Sequence, residues 1–333
     1  MTDMTNTQDF SIMPKAELHA HLNGSIPPHV TTTLIAHHGV TIPEGFVLPQ
    51  DLTITSATPS LLDYFRPWNI LKRLPVGQEC LCEMVDSAVR ALAEDNVVYT
   101  ELRNSPYNIA EINGISLTES LHWLIESFQR ISGETSVDAR LIISFSRFRF
   151  DMDRSKDLLD AIEAVNSSRI IVGIDLSGNE NDAVPLAVSS LFRRAKDDLG
   201  LGVTIHAGEC GDPANVEWAV AECNADRIGH ALAAIHNPRI LDLLREKNTC
   251  VEVCLTSNVL TGSVPDLDQH PVLTFITHGI PFVLCTDNPA IHQRSLTGEY
   301  ELFAKLTGRH DMLDEMLSRQ LSYSFGARNT QDE

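Results

Sequence analysis

Basic residues are scarce in this chain of 333 residues: 25 Lys and Arg stand against 45 Asp and Glu, a formal balance of −20 at pH 7. That balance argues against a broad cationic surface for polymeric nucleic acid or an anionic membrane, since both are held by clusters of Lys and Arg. A small phosphorylated ligand needs only one or two local cations and stays open. No apolar run approaches the roughly 20 residues of a membrane-spanning helix. The first ten residues, MTDMTNTQDF, lack the basic and apolar stretches of a secretory signal, and residues 1–12 are expected to form a disordered polar tail. No C-x-x-C pair occurs among the seven scattered cysteines. Free thiols in a reducing, cytoplasmic compartment explain them better than disulfides or a thiolate metal site. Internal repeats, low-complexity tracts and long Gly/Ser linkers are also lacking, and residues 1–333 read as a single domain.

What the chain does contain is a recurring unit. Short apolar runs at 16–22, 97–103, 139–145, 170–176, 202–206, 226–229, 250–255 and 281–285 have strand character. Stretches of helical period lie between them, at 80–93, 117–131, 157–165, 185–199, 216–223, 238–246 and 272–278. Strands of buried type alternating with helices build a parallel sheet, and eight units fit a closed (β/α)8 TIM barrel. An open doubly wound sheet usually carries a phosphate-binding glycine fingerprint after its first strand; here Asn23-Gly24-Ser25 follows instead. The interval 26–95 exceeds one helix and is rich in proline at first. It is expected to form a helical cap over the C-terminal rim, with aromatic residues around Phe65 enclosing a ligand or fixing the cap to the barrel.

The chemistry-bearing residues fall at the ends of these strands. His19 and His21 share one face of the first strand, because side chains alternate along it. His206 and Glu209 end or follow the fifth strand, His230 the sixth, and Asp287 the eighth. Singly, each has an ordinary structural reading, such as a helix cap for Asp287. Jointly, three histidines and a carboxylate on the rim where barrel active sites are built suit Zn2+ with a position left for water.

The segments ELHAHLNGS, DLSGNE, TIHAGE, RIGHA, EVCLTSNV and CTDNPA, in that order, resemble the adenosine deaminase family of metal-dependent hydrolases. The likeness runs from about Pro14 to past Tyr300. Asn23 together with Thr100-Glu101-Leu102-Arg103 is most similar to the adenosine deaminase-like branch, which includes deaminases of N6-substituted adenine nucleotides. The resemblance implies one Zn2+ held by His19, His21, His206 and Asp287. It implies that Glu209 protonates purine N1, that His230 assists the attacking hydroxide, and that the Gly178 N–H donates to N3. It also places the protein in purine metabolism, with a small purine nucleoside or nucleotide as its partner.

Two positions depart from the family pattern. Asn288 stands where a second Asp usually contacts N7; an amide NH2 can serve that acceptor without a protonated carboxyl group. Asn23 stands where an Asp contacts the ribose, and its neutrality would tolerate a 5′-phosphate. Arg66, Lys72 and Arg73 in the cap are candidate phosphate partners, with solvated surface cations as the alternative. His292, Ser257 and Asn258 can face the pocket or serve structural hydrogen bonds. A related deaminase of a free base or non-adenine nucleoside, and a silent nucleoside-binding protein on the same scaffold, are the rival readings. A binuclear site is disfavoured because no Lys ends the fourth strand to bridge two ions.

Overall fold

The computed structural model describes residues 8–210 and 212–328. Eight parallel strands follow one another in chain order: β1 (Lys15–His21), β2 (Val97–Asn104), β3 (Asp138–Ser146), β4 (Ile171–Ser177), β5 (Gly202–Ala207), β6 (Arg227–His230), β7 (Cys250–Val253) and β8 (Phe282–Leu284). The expected strands are found in place, with ends shifted by a residue or two. The ring is drawn together by a parallel bridge between Ala20 and Asp287. There the His21 N–H donates to the Asp287 carbonyl at 2.9 Å, and the Asp287 N–H donates to the His19 carbonyl at 2.8 Å. Glu17 reinforces this seam by accepting the Thr286 N–H and hydroxyl at 3.0 and 2.7 Å. The result is the (β/α)8 barrel, with amphipathic helices forming its outer ring.

The barrel interior is not the purely aliphatic filling that the fold often carries. Lys15, Glu17, Glu101, Arg103, Asp175, Arg227 and Glu252 are all buried within it. A buried charge is costly unless paired or hydrogen-bonded. Arg227 bridges Glu101 and Glu252, each at 2.7 Å, and Arg103 reaches Glu252 at 3.1 Å and Asp175 at 3.4 Å, while Lys15 donates to the Phe10 and Met13 carbonyls and Glu17 accepts from His19 and Thr286. The lattice lies directly beneath the catalytic rim. Its carboxylates become the supports of the histidines above.

Two expectations need correcting. The interval 26–95 is not all cap: the helix Gly77–Glu94 buries Leu81, Met84, Val85 and Ala88 and belongs to the outer ring. The part before it lies over the rim, tied down where the Ile54 N–H meets the Ile291 carbonyl and the Thr58 N–H meets the Leu260 carbonyl. The N-terminal tail was expected to extend to residue 12, yet Phe10–Ile12 forms a 3-10 turn whose Phe10 ring is buried. An apolar ring that reaches the core offsets the ordering entropy of so short a segment. Residues 1–7 lie outside the described residues.

Candidate active site

The ends of β1 and β5 and the turn after β8 bring His19, His21, His206 and Asp287 together. The Nε2 atoms of His21 and His206 are 3.3 Å apart, and Asp287 Oδ1 lies 3.5 Å from His19 Nε2 and 3.4 Å from His21 Nε2. Ligand atoms held about 2.1 Å from one Zn2+-sized ion at tetrahedral angles stand about 3.4 Å from each other. The set therefore fits a single ion. His19 Nε2 is buried with no hydrogen-bond partner, an orphan that an ion would satisfy. Burial holds the His21 ring neutral, its pKa brought down to about 3, so a lone pair is available.

The Nδ1 faces of His19 and His206 are fixed by partners absent from the sequence-based expectations. His19 Nδ1 sits 2.5 Å from Glu252 Oε2, and His206 Nδ1 sits 2.9 Å from Asp175 Oδ1. Each carboxylate accepts the Nδ1 proton and turns the Nε2 lone pair toward the ion, the usual way a metal-binding histidine is oriented. Ser257 donates to Asp287 Oδ2 at 2.6 Å, leaving Oδ1 for the metal. Glu252 and Asp175 did leave a signal: each is a charged residue inside an otherwise apolar strand, where it needs a strong reason to be.

Glu209 and His230 stand beside this group. Glu209 Oε2 lies 3.8 Å from His230 Nε2. Burial, with the Asp287 and Glu180 carboxylates nearby, pushes Glu209 up to about 8, which favours its protonated form. Its loop is held by Glu180, whose carboxylate accepts the backbone N–H groups of Gly208, Glu209 and Cys210 at 2.7, 2.6 and 3.1 Å. Gly208 allows that turn, with φ at +74° and Val216 where a Cβ would go. His230 and Asp287 have φ of +67° and +64°. Such left-handed backbone at ordinary residues is costly and clusters where side chains must be aimed. His230 is not part of the ligand group, and burial keeps its ring neutral, far below the usual histidine value.

A cavity of about 550 Å³ opens from His21 along the ends of β2, β3 and β4, lined among others by Asn23, Trp68, Lys72, Asn104, Tyr107 and Ser177. Asn23 is at its wall, donating to the Leu71 carbonyl and accepting from Asn104. Gly178 follows β4 next to Ser177, with φ at +103°, a conformation that side chains rarely adopt. Asn288 is buried, its NH2 given to the Tyr64 hydroxyl at 3.0 Å, and that hydroxyl meets His292 Nε2 at 2.6 Å. Phe65 and Arg66 are not brought to the cavity. Phe65 packs on Trp68, whereas Arg66 is spent on Asp51, the Gly45 carbonyl and the Phe46 ring. Arg73 likewise bonds the Asn69 and Thr41 carbonyls. Lys72 alone of the three cap cations lines the cavity, joined there by Arg149 and Arg154 from the segment after β3. Arg149 stands in a turn and Arg154 in the first turn of the helix Met152–Val165, positions that gave no signal.

Fold and site together define a metal-dependent hydrolase built on a (β/α)8 barrel. Comparison with known proteins narrows that class. The chain matches the adenosine deaminase family over residues 14–328. It is 33% identical over 304 residues to the adenosine deaminase of Edwardsiella ictaluri (strain 93-146), covering 90% of this chain and 89% of the relative; that of Vibrio cholerae is equally similar. Among solved structures, the Arabidopsis N6-mAMP deaminase superposes with a TM-score of 0.82 at 27% identity, over 97% of this chain and 96% of its own. Arabidopsis ADAL complexed with GMP gives 0.82 at 26% identity, over 97% and 95%. The protein is a metal-dependent aminohydrolase and belongs to the adenosine deaminase family.

Proposed function

We propose that the chain hydrolyses the 6-amino group of a purine nucleoside or nucleotide, with adenosine, AMP and N6-alkyl AMP as the candidates and the nucleotides favoured. The observation that carries this reading is the buried Glu209 carboxyl beside His230 and a three-histidine, one-aspartate ligand set. Zn2+ suits His19, His21, His206 and Asp287, and when bound it supplies hydroxide near neutral pH by lowering the pKa of water. The chain's own groups do the rest. As the hydroxide oxygen bonds to C6, the C6–N1 π pair moves to N1, and Glu209 delivers its proton there. His230 contacts the attacking oxygen, and the Gly178 N–H reaches N3. The C6 hydroxyl then gives up its proton, the C6–N6 bond breaks, and N6 leaves with that proton as ammonia or an amine, giving the 6-oxopurine.

Two features support a 5′-phosphate. Asn23 presents no negative charge at the cavity wall, and Lys72, Arg149 and Arg154 line the same cavity in a chain of strongly acidic balance. The Arabidopsis proteins of similar fold, one named for N6-mAMP and one complexed with GMP, support the same reading. Asn288 retains a second N–H for purine N7 beyond the one given to Tyr64. Seven free cysteines fit a cytoplasmic setting, and among the described residues no helix is long and apolar enough to cross a membrane. The deciding assay measures ammonia or amine release from adenosine, AMP, N6-methyl-AMP and adenine with the zinc-loaded protein. Turnover of a nucleotide above the nucleoside is expected; turnover of free adenine alone would sink the proposal.

A further inference from the structure

A chain of hydrogen bonds runs from a backbone amide to the catalytic rim. The Val272 N–H donates to His270 Nδ1 at 3.1 Å. A backbone N–H can only donate, so Nδ1 carries the lone pair, and burial keeps this ring neutral, its pKa brought down to about 3. The single proton of His270 is therefore on Nε2, which meets Asn258 Oδ1 at 3.1 Å. That contact fixes which end of the Asn258 amide is which. Its NH2 is then turned to His230 Nδ1, at 3.0 Å. Asn258 is fully buried, and its backbone is anchored at both ends, N–H to the Cys254 carbonyl and carbonyl to the Val264 N–H.

We infer that Asn258 and His270 are positioning residues that lock His230 in its Nε2–H tautomer, so that His230 offers the attacking oxygen a hydrogen bond rather than a base. The inference rests on the deaminase reading for its consequence, but the tautomer follows from the hydrogen bonds alone. Nδ1 is committed to Asn258, so the only remaining ring proton points from Nε2 into the site, 3.8 Å from Glu209 Oε2. A donor there orients the oxygen lone pair at C6 and steadies the negative charge on that oxygen until the bond forms. Proton abstraction is not asked of His230. The two proton roles are thus separated: Glu209 gives its proton to the ring, and His230 keeps its own.

The test begins with the unsubstituted protein carrying 15N-labelled histidine. Long-range 1H–15N correlation should show His230 protonated on Nε2 and bare on Nδ1, with the signal assigned through His230→Gln. In Asn258→Asp the carboxylate can only accept, so the proton moves to Nδ1. A wrong tautomer should cost about a hundredfold or more in kcat, with KM within about threefold and metal content unchanged. Should Asn258→Asp fold poorly, His270→Phe removes the donor that orients Asn258 and should lower kcat at least about tenfold. His270→Gln, whose amide can again donate to Oδ1, should regain most of that loss. An Nδ1–H tautomer in the unsubstituted protein, or folded variants with full kcat, overturns the inference. An unsubstituted protein inert on every purine but showing the Nε2–H tautomer would instead refute the deaminase reading and leave the tautomer assignment standing.

Discussion

Glu180 Oε1 accepts the backbone N–H of Glu209 at 2.6 Å, so one carboxylate holds in place the loop that presents another. Glu180 also binds Gly208, Cys210 and the Asn215 side chain, and its charge helps keep Glu209 protonated. Glu180→Gln removes one accepting oxygen and that charge together. Turnover should fall about tenfold to a hundredfold, in line with the loss of a support for a catalytic group. Because a neighbouring negative charge raises a carboxyl pKa, its removal lowers that of Glu209. The alkaline limb of the kcat/KM profile should accordingly move to lower pH; an unmoved limb would show that Glu180 acts on geometry alone.

Glu209→Gln tests the proton donor directly. The amide keeps the volume of the side chain but cannot deliver a proton to N1. Turnover should drop at least about a thousandfold, the upper part of what positioned acid catalysis contributes. Metal content, measured by elemental analysis of the purified protein, should stay equal to that of the unsubstituted chain, because Glu209 is outside the ligand group. Full activity in this variant would remove Glu209 from the mechanism.

The orientation of His206 depends on Asp175, which takes its Nδ1 proton. Asp175→Asn preserves shape and can still accept through its carbonyl oxygen, but it gives up the charge that makes the imidazole a stronger ligand. Metal affinity should weaken about tenfold to a hundredfold by competition with a chelator. Asp175 also faces Arg103 at 3.4 Å, so thermal unfolding of the metal-free protein should be recorded alongside. A loss of stability without a change in metal affinity would mark Asp175 as a partner of the barrel lattice only.

The strand ends were legible because barrel strands are buried on both faces and read as short apolar runs, so His19, His206 and Asp287 could be placed on one rim from order alone. Supports of those residues were harder to see. Glu252 and Asp175 are visible as charges within apolar strands, yet a sequence does not say which neighbour neutralises them. His270 and Tyr64 were out of reach for another reason: their contacts with Asn258 and Asn288 depend on how loops cross the rim, and loops carry no period. Arg66 shows the converse. Its charge suggested a phosphate, but Asp51, 15 residues earlier in chain, sits 2.9 Å away and takes it.

Stability should respond to Glu299, which is 1% exposed and whose carboxyl burial raises to about 7. A carboxyl with a raised folded-state pKa binds more protons when folded than when unfolded. It therefore favours the fold at low pH and loses that advantage as pH rises from the unfolded value near 4.5 through 7. Glu299→Gln removes the titration while an amide oxygen still accepts the Thr256 N–H that Glu299 Oε2 now holds at 3.2 Å. Denaturant unfolding at pH 8 should show a gain on the order of 3 kcal/mol at most, fading below pH 5. An equal effect at both pH values would mean that packing, not ionisation, sets the difference.

The cavity cations supply the last discrimination. Lys72, Arg149 and Arg154 are solvent-exposed, so each phosphate contact is screened and modest on its own. Arg154 is also stacked on the Tyr107 ring, its guanidinium carbon 4.9 Å from the centroid, which restrains it toward the cavity wall. Replacing Lys72 and Arg154 together by Gln should raise KM for AMP or N6-methyl-AMP by about tenfold, about 1.4 kcal/mol of lost binding. KM for adenosine should change little, because its 5′-hydroxyl carries no charge to lose. The nucleotide effect should also shrink at high salt, since a contact between exposed charges weakens as ions screen it. Parallel losses for nucleoside and nucleotide would instead assign these residues to holding the cavity open, and would return the 5′-phosphate to the solvent.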